Sequence, residues 1–122
     1  MDYFINYIKK MYDSFGLTLD IKFSNEEKTF RICALREEIA EYEEANTPEK
    51  ELDALLDLLI FLLGTFYRQG YSKYILNGFI EIMEANMKKQ VGLNKKRNNF
   101  KFDLIKPAGW RAPNLKKVLN NE

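Results

Sequence analysis

Two aspartates, Asp53 and Asp57, stand inside a run that is otherwise almost entirely apolar: Leu52, Ala54, Leu55, Leu56, Leu58, Leu59, Ile60, Phe61, Leu62 and Leu63. A carboxylate in such surroundings is costly unless it meets a cation or takes up a proton. Residues four apart share one face of a helix, so the two acids form a stripe. Glu37, Glu38 and Glu41 lie a short way upstream. Glu38 and Glu41, three apart, fall on adjacent faces of one turn. Two antiparallel helices joined at Asn46-Thr47-Pro48 would set this pair opposite Asp53 and Asp57. Four carboxylates so placed suit a hard cation such as Mg2+, whose remaining positions go to water and phosphate oxygens. Taken alone, the glutamates also read as a solvated acidic face, which Glu43 and Glu44 extend.

The chain contains no histidine. That removes Ser-His-Asp and Cys-His catalysis, HExxH zinc sites and His-Asp metal sites together. Chemistry must run on carboxylates, lysines and an oxygen-loving metal, which favours Mg2+ or Mn2+ over Zn2+. The one cysteine, Cys33, has no internal disulfide partner and, beside Ile32 and Ala34, reads as a core thiol. The opening residues show no basic-then-apolar signal segment. The longest apolar run, Leu58 to Leu63, is far too short to span a bilayer. A cytoplasmic protein with no membrane partner is expected. The net charge of +1 hides an asymmetry: residues 1–87 carry 16 acids and 9 bases, while residues 88–122 carry 2 acids and 10 bases. An acidic body suits cations, and a basic tail suits phosphates.

Helices must position these side chains. Residues 2–15 carry Phe4, Ile5, Ile8, Met11, Tyr12 and Phe15 on one side, and Gly16 ends that helix. Ser24 and Glu27 form a capping box for a second helix over residues 25–45, with an apolar stripe of Phe30, Cys33 or Ala34, Leu35, Ile39 and Tyr42. Thr47 caps a third helix with Pro48 at its first position, running to about Gln69. A fourth spans about Ser72 to Gln90, and Asn114 caps a short last helix. The expected architecture is a single all-α domain over residues 1–122: four main helices in an antiparallel bundle (body 2–90), then a basic, irregular C-terminal segment (91–122) that includes the short helix. The third helix is apolar nearly all round and must be buried on every side, so a homo-oligomer, a dimer or tetramer, is expected.

On the fourth helix Asn86 and Lys89 share a face, which reads either as an ordinary polar helix end or as an amide and an ammonium for a phosphate chain. At this point a family resemblance appears. Leu35-Arg36-Glu37-Glu38-Ile39-Ala40-Glu41 resembles the EExxE motif of the MazG-like all-α nucleoside triphosphate pyrophosphohydrolases. Asp53-Ala54-Leu55-Leu56-Asp57-Leu58 with Gly64-Thr65 is similar to the second motif of the phage-type and phosphoribosyl-ATP pyrophosphohydrolase-like branch. Asn86-Met87-Lys88-Lys89 resembles that branch's Asn-Met-x-Lys motif, and Lys106-Pro107-Ala108-Gly109-Trp110-Arg111-Ala112-Pro113 its Lys-Pro-x-Gly-Trp-x-x-Pro segment. The wider superfamily has ExxD as its second motif; here Ala54 stands three before Asp57, and Asp53 looks like the branch's substitute.

The resemblance implies hydrolysis of a nucleoside triphosphate between the α and β phosphates, giving a monophosphate and pyrophosphate. Glu38, Glu41, Asp57 and Asp53 would hold Mg2+, and Glu37 would orient or deprotonate the attacking water. Asn86, Lys89, Arg97, Lys106 and Arg111 would bind phosphate oxygens. Trp110 and Tyr42 are candidate base-stacking rings or simple packing. Two other readings compete. One is a non-enzymatic helical dimerisation module whose basic tail binds nucleic acid, which accounts for the tail but leaves Asp53 and Asp57 without a role. The other keeps the chemistry and changes the substrate to phosphoribosyl-ATP or a related conjugate. A nucleoside triphosphate is the expected partner, rather than nucleic acid.

Overall fold

In the computed structural model, which describes residues 2–120, helix α1 (Asp2–Ser14) closes with the Leu17 N–H donating to the Tyr12 carbonyl at 2.8 Å. Helix α2 (Asn25–Glu44) starts where the Glu27 N–H donates to Ser24 Oγ at 3.0 Å. Only that half of the expected capping box forms, because the Glu27 carboxylate turns to Arg31 and Arg68. Helix α3 (Pro48–Arg68) is capped by Thr47, whose Oγ1 accepts from the Lys50 N–H at 3.2 Å. A 3-10 turn at Ser72–Tyr74 leads to α4 (Ile75–Asn86). Strands β1 (Gln90–Asn94) and β2 (Phe100–Ile105) form an antiparallel hairpin, and α5 (Leu115–Asn120) follows. Asn114 caps α5 by accepting from the Lys117 N–H at 3.1 Å. Met1, Asn121 and Glu122 lie outside the described residues. The chain falls into two compact units, Met1–Lys73 and Tyr74–Glu122.

The protein is mostly helical, with five helices and one two-stranded sheet among the described residues. The hairpin corrects the expected irregular segment, and α4 stops at Asn86 rather than Gln90. Gln90 instead pairs with Ile105, Val91 with Leu104 and Gly92 with Asp103. The turn is built by Asn98 and Asn99, which hold φ of 59° and 56°, a region asparagine tolerates better than most residues. Asn94 Nδ2 donates to Asp103 Oδ2 at 2.8 Å across the ladder and helps set its register.

In the first unit, α2 packs along α3 with its polar face inward. Arg31 and Ala34 are buried and Glu38 is half-buried, whereas Phe30, Ile39 and Tyr42 of the expected apolar stripe are exposed. Cys33, expected in the core, is exposed for the same reason: the helix is rotated to bring its charges to α3. Arg31 and Arg68 are each 5% exposed and both donate to Glu27, at 3.0 Å and 2.6–2.8 Å. Arg68 Nη1 also donates to the Thr18 carbonyl at 2.8 Å, tying down the α1–α2 connector. Such a buried network is costly to break, since each guanidinium stripped of its carboxylate stays desolvated. Helix α3 is not buried on every side in the single chain: Ala54, Leu63, Gly64 and Tyr67 are covered, while Leu52, Leu55, Leu56, Leu59, Ile60 and Leu62 are exposed.

Gly64 is where α1 and α2 converge on α3. A Cβ there would run into Tyr12 Oη and would lie 3.2 Å from Arg31 Nη1. Tyr12 cannot easily yield, because its hydroxyl accepts from Arg31 Nη2 at 3.2 Å and its ring packs on Tyr67. Alanine's better helix propensity favours Gly64→Ala by about 1 kcal/mol, but overpacking costs about 1–3 kcal/mol. Net destabilisation is therefore expected in urea unfolding. Tyr12→Phe removes the colliding oxygen but also an acceptor of Arg31, so Gly64→Ala should cost less in a Tyr12→Phe background than in wild type; a Gly64→Ala protein as stable as wild type would refute the close approach.

Candidate metal centre

Glu38 and Glu41 on α2 meet Asp57 on α3, and one carboxylate oxygen from each lies within 4.8 Å of the other two. The α2–α3 turn brings them together because α2 presents Glu27, Arg31, Ala34 and Glu38 to its neighbour at intervals of three and four. Asp57 shares its stripe with Asp53, one turn closer to the Thr47 cap. Asp53 is exposed and falls outside the tight trio. It borders a hollow of about 260 Å3 that Glu41, Glu44 and Lys50 also line. Glu37 is exposed, about 100° round from Glu38 but only about 40° from Glu41 on the same helix.

The electrostatics are those of a site lacking a counter-charge. Burial pushes the Glu38 carboxyl up to about 7, and a hydrogen bond that its protonated form donates to Glu41 and the charges of Glu41, Asp57 and Asp53 push it the same way. Asp57 is also raised, by burial first and then by Asp53 and Glu41. Glu38 Oε2 is buried with no hydrogen-bond partner. A buried carboxylate oxygen left unpaired among other carboxylates fits a hard divalent cation in ligand type and in charge. About three turns away on the same helix face, Glu27 behaves oppositely: hydrogen bonds from Arg68 and Arg31 hold it below the usual carboxylate range.

The other candidates lie in the second unit, except Tyr42, which is an exposed ring on α2. Asn86 is the last residue of α4. The Lys89 and Lys106 ammoniums stand 5.0 Å and 5.1 Å from the centroid of the Trp110 ring. The Trp110 indole N–H donates to the Ala85 carbonyl at 2.7 Å. Arg111 and Trp110 border a groove of about 680 Å3 together with Glu84, Lys88 and Pro113. Arg97, near the hairpin turn, is paired with Asp103 at 3.3 Å. The Glu27–Arg31–Arg68 network escaped sequence reasoning; its only signals were the i, i+4 spacing of Glu27 and Arg31 and an arginine closing an apolar helix. No helix among the described residues is long and apolar enough to cross a membrane. No protein-family model matches the chain, and no curated protein matches it at a significant level.

The raised Glu38 sets a pH dependence. Its folded-state proton affinity exceeds that of the unfolded chain, so folding is favoured while it holds the proton and disfavoured once the proton must leave. Metal-free protein should lose stability as pH rises from about 4.5 to about 7. Glu27, being lowered, contributes in the opposite sense and below that window, where stability falls as pH drops. Millimolar Mg2+ or Mn2+ should raise the melting temperature, most above pH 7, by binding the native state. Glu38→Gln should flatten the metal-free slope. Melting curves from pH 5 to 8 check this, and curves indifferent to both pH and metal would count against the cluster.

Proposed function

We propose that this protein is a Mg2+-dependent nucleoside triphosphate pyrophosphohydrolase of the MazG-like all-α type, acting in the cytoplasm. The observation that carries the reading is the convergence of Glu38, Glu41 and Asp57 with a buried, unpartnered Glu38 oxygen. These three side chains would hold the metal, with Asp53 contributing at the rim of the trio. When bound, Mg2+ or Mn2+ supplies Lewis-acid neutralisation of the phosphates and lowers the pKa of a nearby water. Glu37, exposed and next in sequence to Glu38, takes the proton from the attacking water. The water oxygen bonds to the α-phosphorus, the bond to the bridging α–β oxygen breaks, and pyrophosphate leaves with that oxygen. Asn86, Lys89, Lys106 and Arg111 bind phosphate oxygens; Arg97 must first give up Asp103. Tyr42 offers an exposed ring to the base. The reading carries with it the four main helices in an antiparallel bundle that the sequence leads one to expect.

The same reading includes a homo-oligomer, a dimer or a dimer of dimers. Its support is the apolar surface that one chain leaves in water, from Phe30 and Ile39 of α2 to Leu52, Leu55, Leu56 and Leu62 of α3. Large apolar side chains exposed along two neighbouring helices are what a protein–protein interface leaves in a single chain. Light scattering at micromolar concentration should report at least twice the 14.4 kDa chain mass. A stable monomer would end this part of the proposal.

Asp57→Asn should abolish turnover and leave the fold intact. Asparagine keeps the shape and one oxygen of aspartate but removes a charge from the trio. The loss of one preorganised electrostatic contact predicts a fall in rate of at least about a hundredfold. The metal-free mutant should also melt higher than metal-free wild type, since the repulsion from Asp53 and Glu41 is gone. Asp53→Asn should cost less, because Asp53 stands outside the trio. Pyrophosphate release from a panel of canonical and modified NTPs and dNTPs at saturating Mg2+ makes the comparison. Wild-type rates in Asp57→Asn would mean that the cluster is structural.

A further inference from the structure

The second unit brings two ammoniums to one aromatic ring. The ladder pairs Gln90 with Ile105, so Lys89 and Lys106 are the next facing pair, at the open end of the hairpin. Lys89 arrives there because α4 runs out in a turn, with its N–H donating to the Asn86 carbonyl at 3.0 Å. Lys106 begins a second turn, Pro107-Ala108-Gly109-Trp110, closed by the Trp110 N–H donating to the Pro107 carbonyl at 3.1 Å. Gly109 takes φ of 77° in that turn, which a residue with a Cβ rarely adopts. The turn swings the indole back to the end of α4, where its N–H donates to the Ala85 carbonyl. Both ammoniums then lie about 5 Å from the ring centroid, so their separation is at most twice that.

Two like charges do not gather without a reason. The attraction of each cation for the indole π-face offsets their mutual repulsion in part. Neither lysine forms an ion pair with a carboxylate among the described residues. Both ammoniums border the one ring, so a di- or triphosphate lying at its edge would meet two cationic donors together.

We propose that Trp110 is a positioning residue that holds Lys89 and Lys106 as a two-ammonium clamp for a polyphosphate chain, rather than a ring that stacks on a nucleobase. The hairpin sets the distance between the two lysine backbones, the indole fixes where their side chains end, and the polyphosphate supplies the charge that the pair lacks. The inference deepens the pyrophosphohydrolase reading and rests on it for the choice of ligand, but the clamp requires no turnover and no metal.

The test is metal-free binding of inorganic tripolyphosphate to the full chain, with every variant, including those lacking Trp110, read by calorimetric titration. Trp110 is the only tryptophan, so its fluorescence reports the site directly. Tripolyphosphate should change that emission as the ammoniums move from ring to phosphate. Lys89→Gln and Lys106→Gln should each weaken binding about tenfold, as expected for losing one charged hydrogen-bonding partner. Trp110→Leu should weaken it to a similar degree when the lysines are intact and add little once both are glutamine. Trp110→Phe, which keeps a ring, should restore most of the affinity, a rescue that a merely structural role would not follow in this order. Lys95→Gln and Lys96→Gln at the far end of the hairpin should leave affinity unchanged. Should Trp110→Leu fail to fold, the fluorescence titration and the lysine variants decide alone. Unchanged emission, wild-type affinity in the lysine variants, or equal losses from the hairpin-tip variants would overturn the clamp. A protein that binds tripolyphosphate in this way yet releases no pyrophosphate from any nucleotide keeps the clamp and loses the enzyme reading. Turnover that is indifferent to Trp110 does the reverse.

Discussion

Charge turned inward between two helices is the constraint on which the first unit depends. Where a small helical protein usually packs oil against oil, α2 lays Glu27, Arg31, Ala34 and Glu38 against α3. The seam solves the cost of burial in two ways. At one end Glu27 accepts from two arginines, and the charges are matched by hydrogen bonds from both sides. At the other, Glu38 shares a hydrogen bond with another carboxyl, and every neighbouring charge drives it toward its protonated form. The two glutamates lie on one face of one helix and shift in opposite directions, so it is their partners, and not the backbone, that sets their chemistry.

This asymmetry sets a satisfied end and an unsatisfied end along a single seam. The arginine end holds α1, α2, α3 and the connector together through Tyr12, Thr18 and Glu27. It needs nothing further, since each buried donor finds an acceptor. The carboxylate end is held in place by that scaffold while remaining unsatisfied. Sites that bind cations tightly are often built so, with the repulsion between ligands sustained by packing elsewhere. The rigidity comes from α-helical backbone on both sides, which fixes side chains more closely than loops would.

Much of this was legible in the residues. Helix starts at Ser24, Thr47 and Asn114 follow from side chains that accept from their own first turns. Glu38, Glu41 and Asp57 are legible because acids at helical spacing inside apolar surroundings are costly and thus informative. What misled was hydrophobic periodicity in α2. It marks Phe30, Cys33, Ile39 and Tyr42 as the inner face, on the assumption that apolar means buried, but the paired and clustered charges claim that position instead. The hairpin was hidden for another reason. Its strands are short and its turn is a lysine- and asparagine-rich run, so the alternation of Val91, Leu93, Phe100, Phe102 and Leu104 is diluted by residues that read as a solvated tail. Left-handed Asn98 and Asn99 were the available signal.

Turning charge inward leaves apolar residues outside, and this bears on what holds the chain together. No large side chain among the described residues is fully buried. A chain of 122 residues would ordinarily bury about two thirds of its unfolded surface around a continuous core. Here Leu52, Leu55, Leu56 and Leu62 stay in contact with water along the same helix that carries Asp53 and Asp57. Burying one leucine is worth about 1.5–3 kcal/mol, comparable with a large share of a small domain's net stability. A second copy covering this face would thus stabilise the helix that supplies Asp57 to the carboxylate trio. A cation at the carboxylate trio would relieve the repulsion which opposes the docking of α3 on α2. Assembly and metal binding would then favour the same arrangement of α2 and α3, and each would strengthen the other.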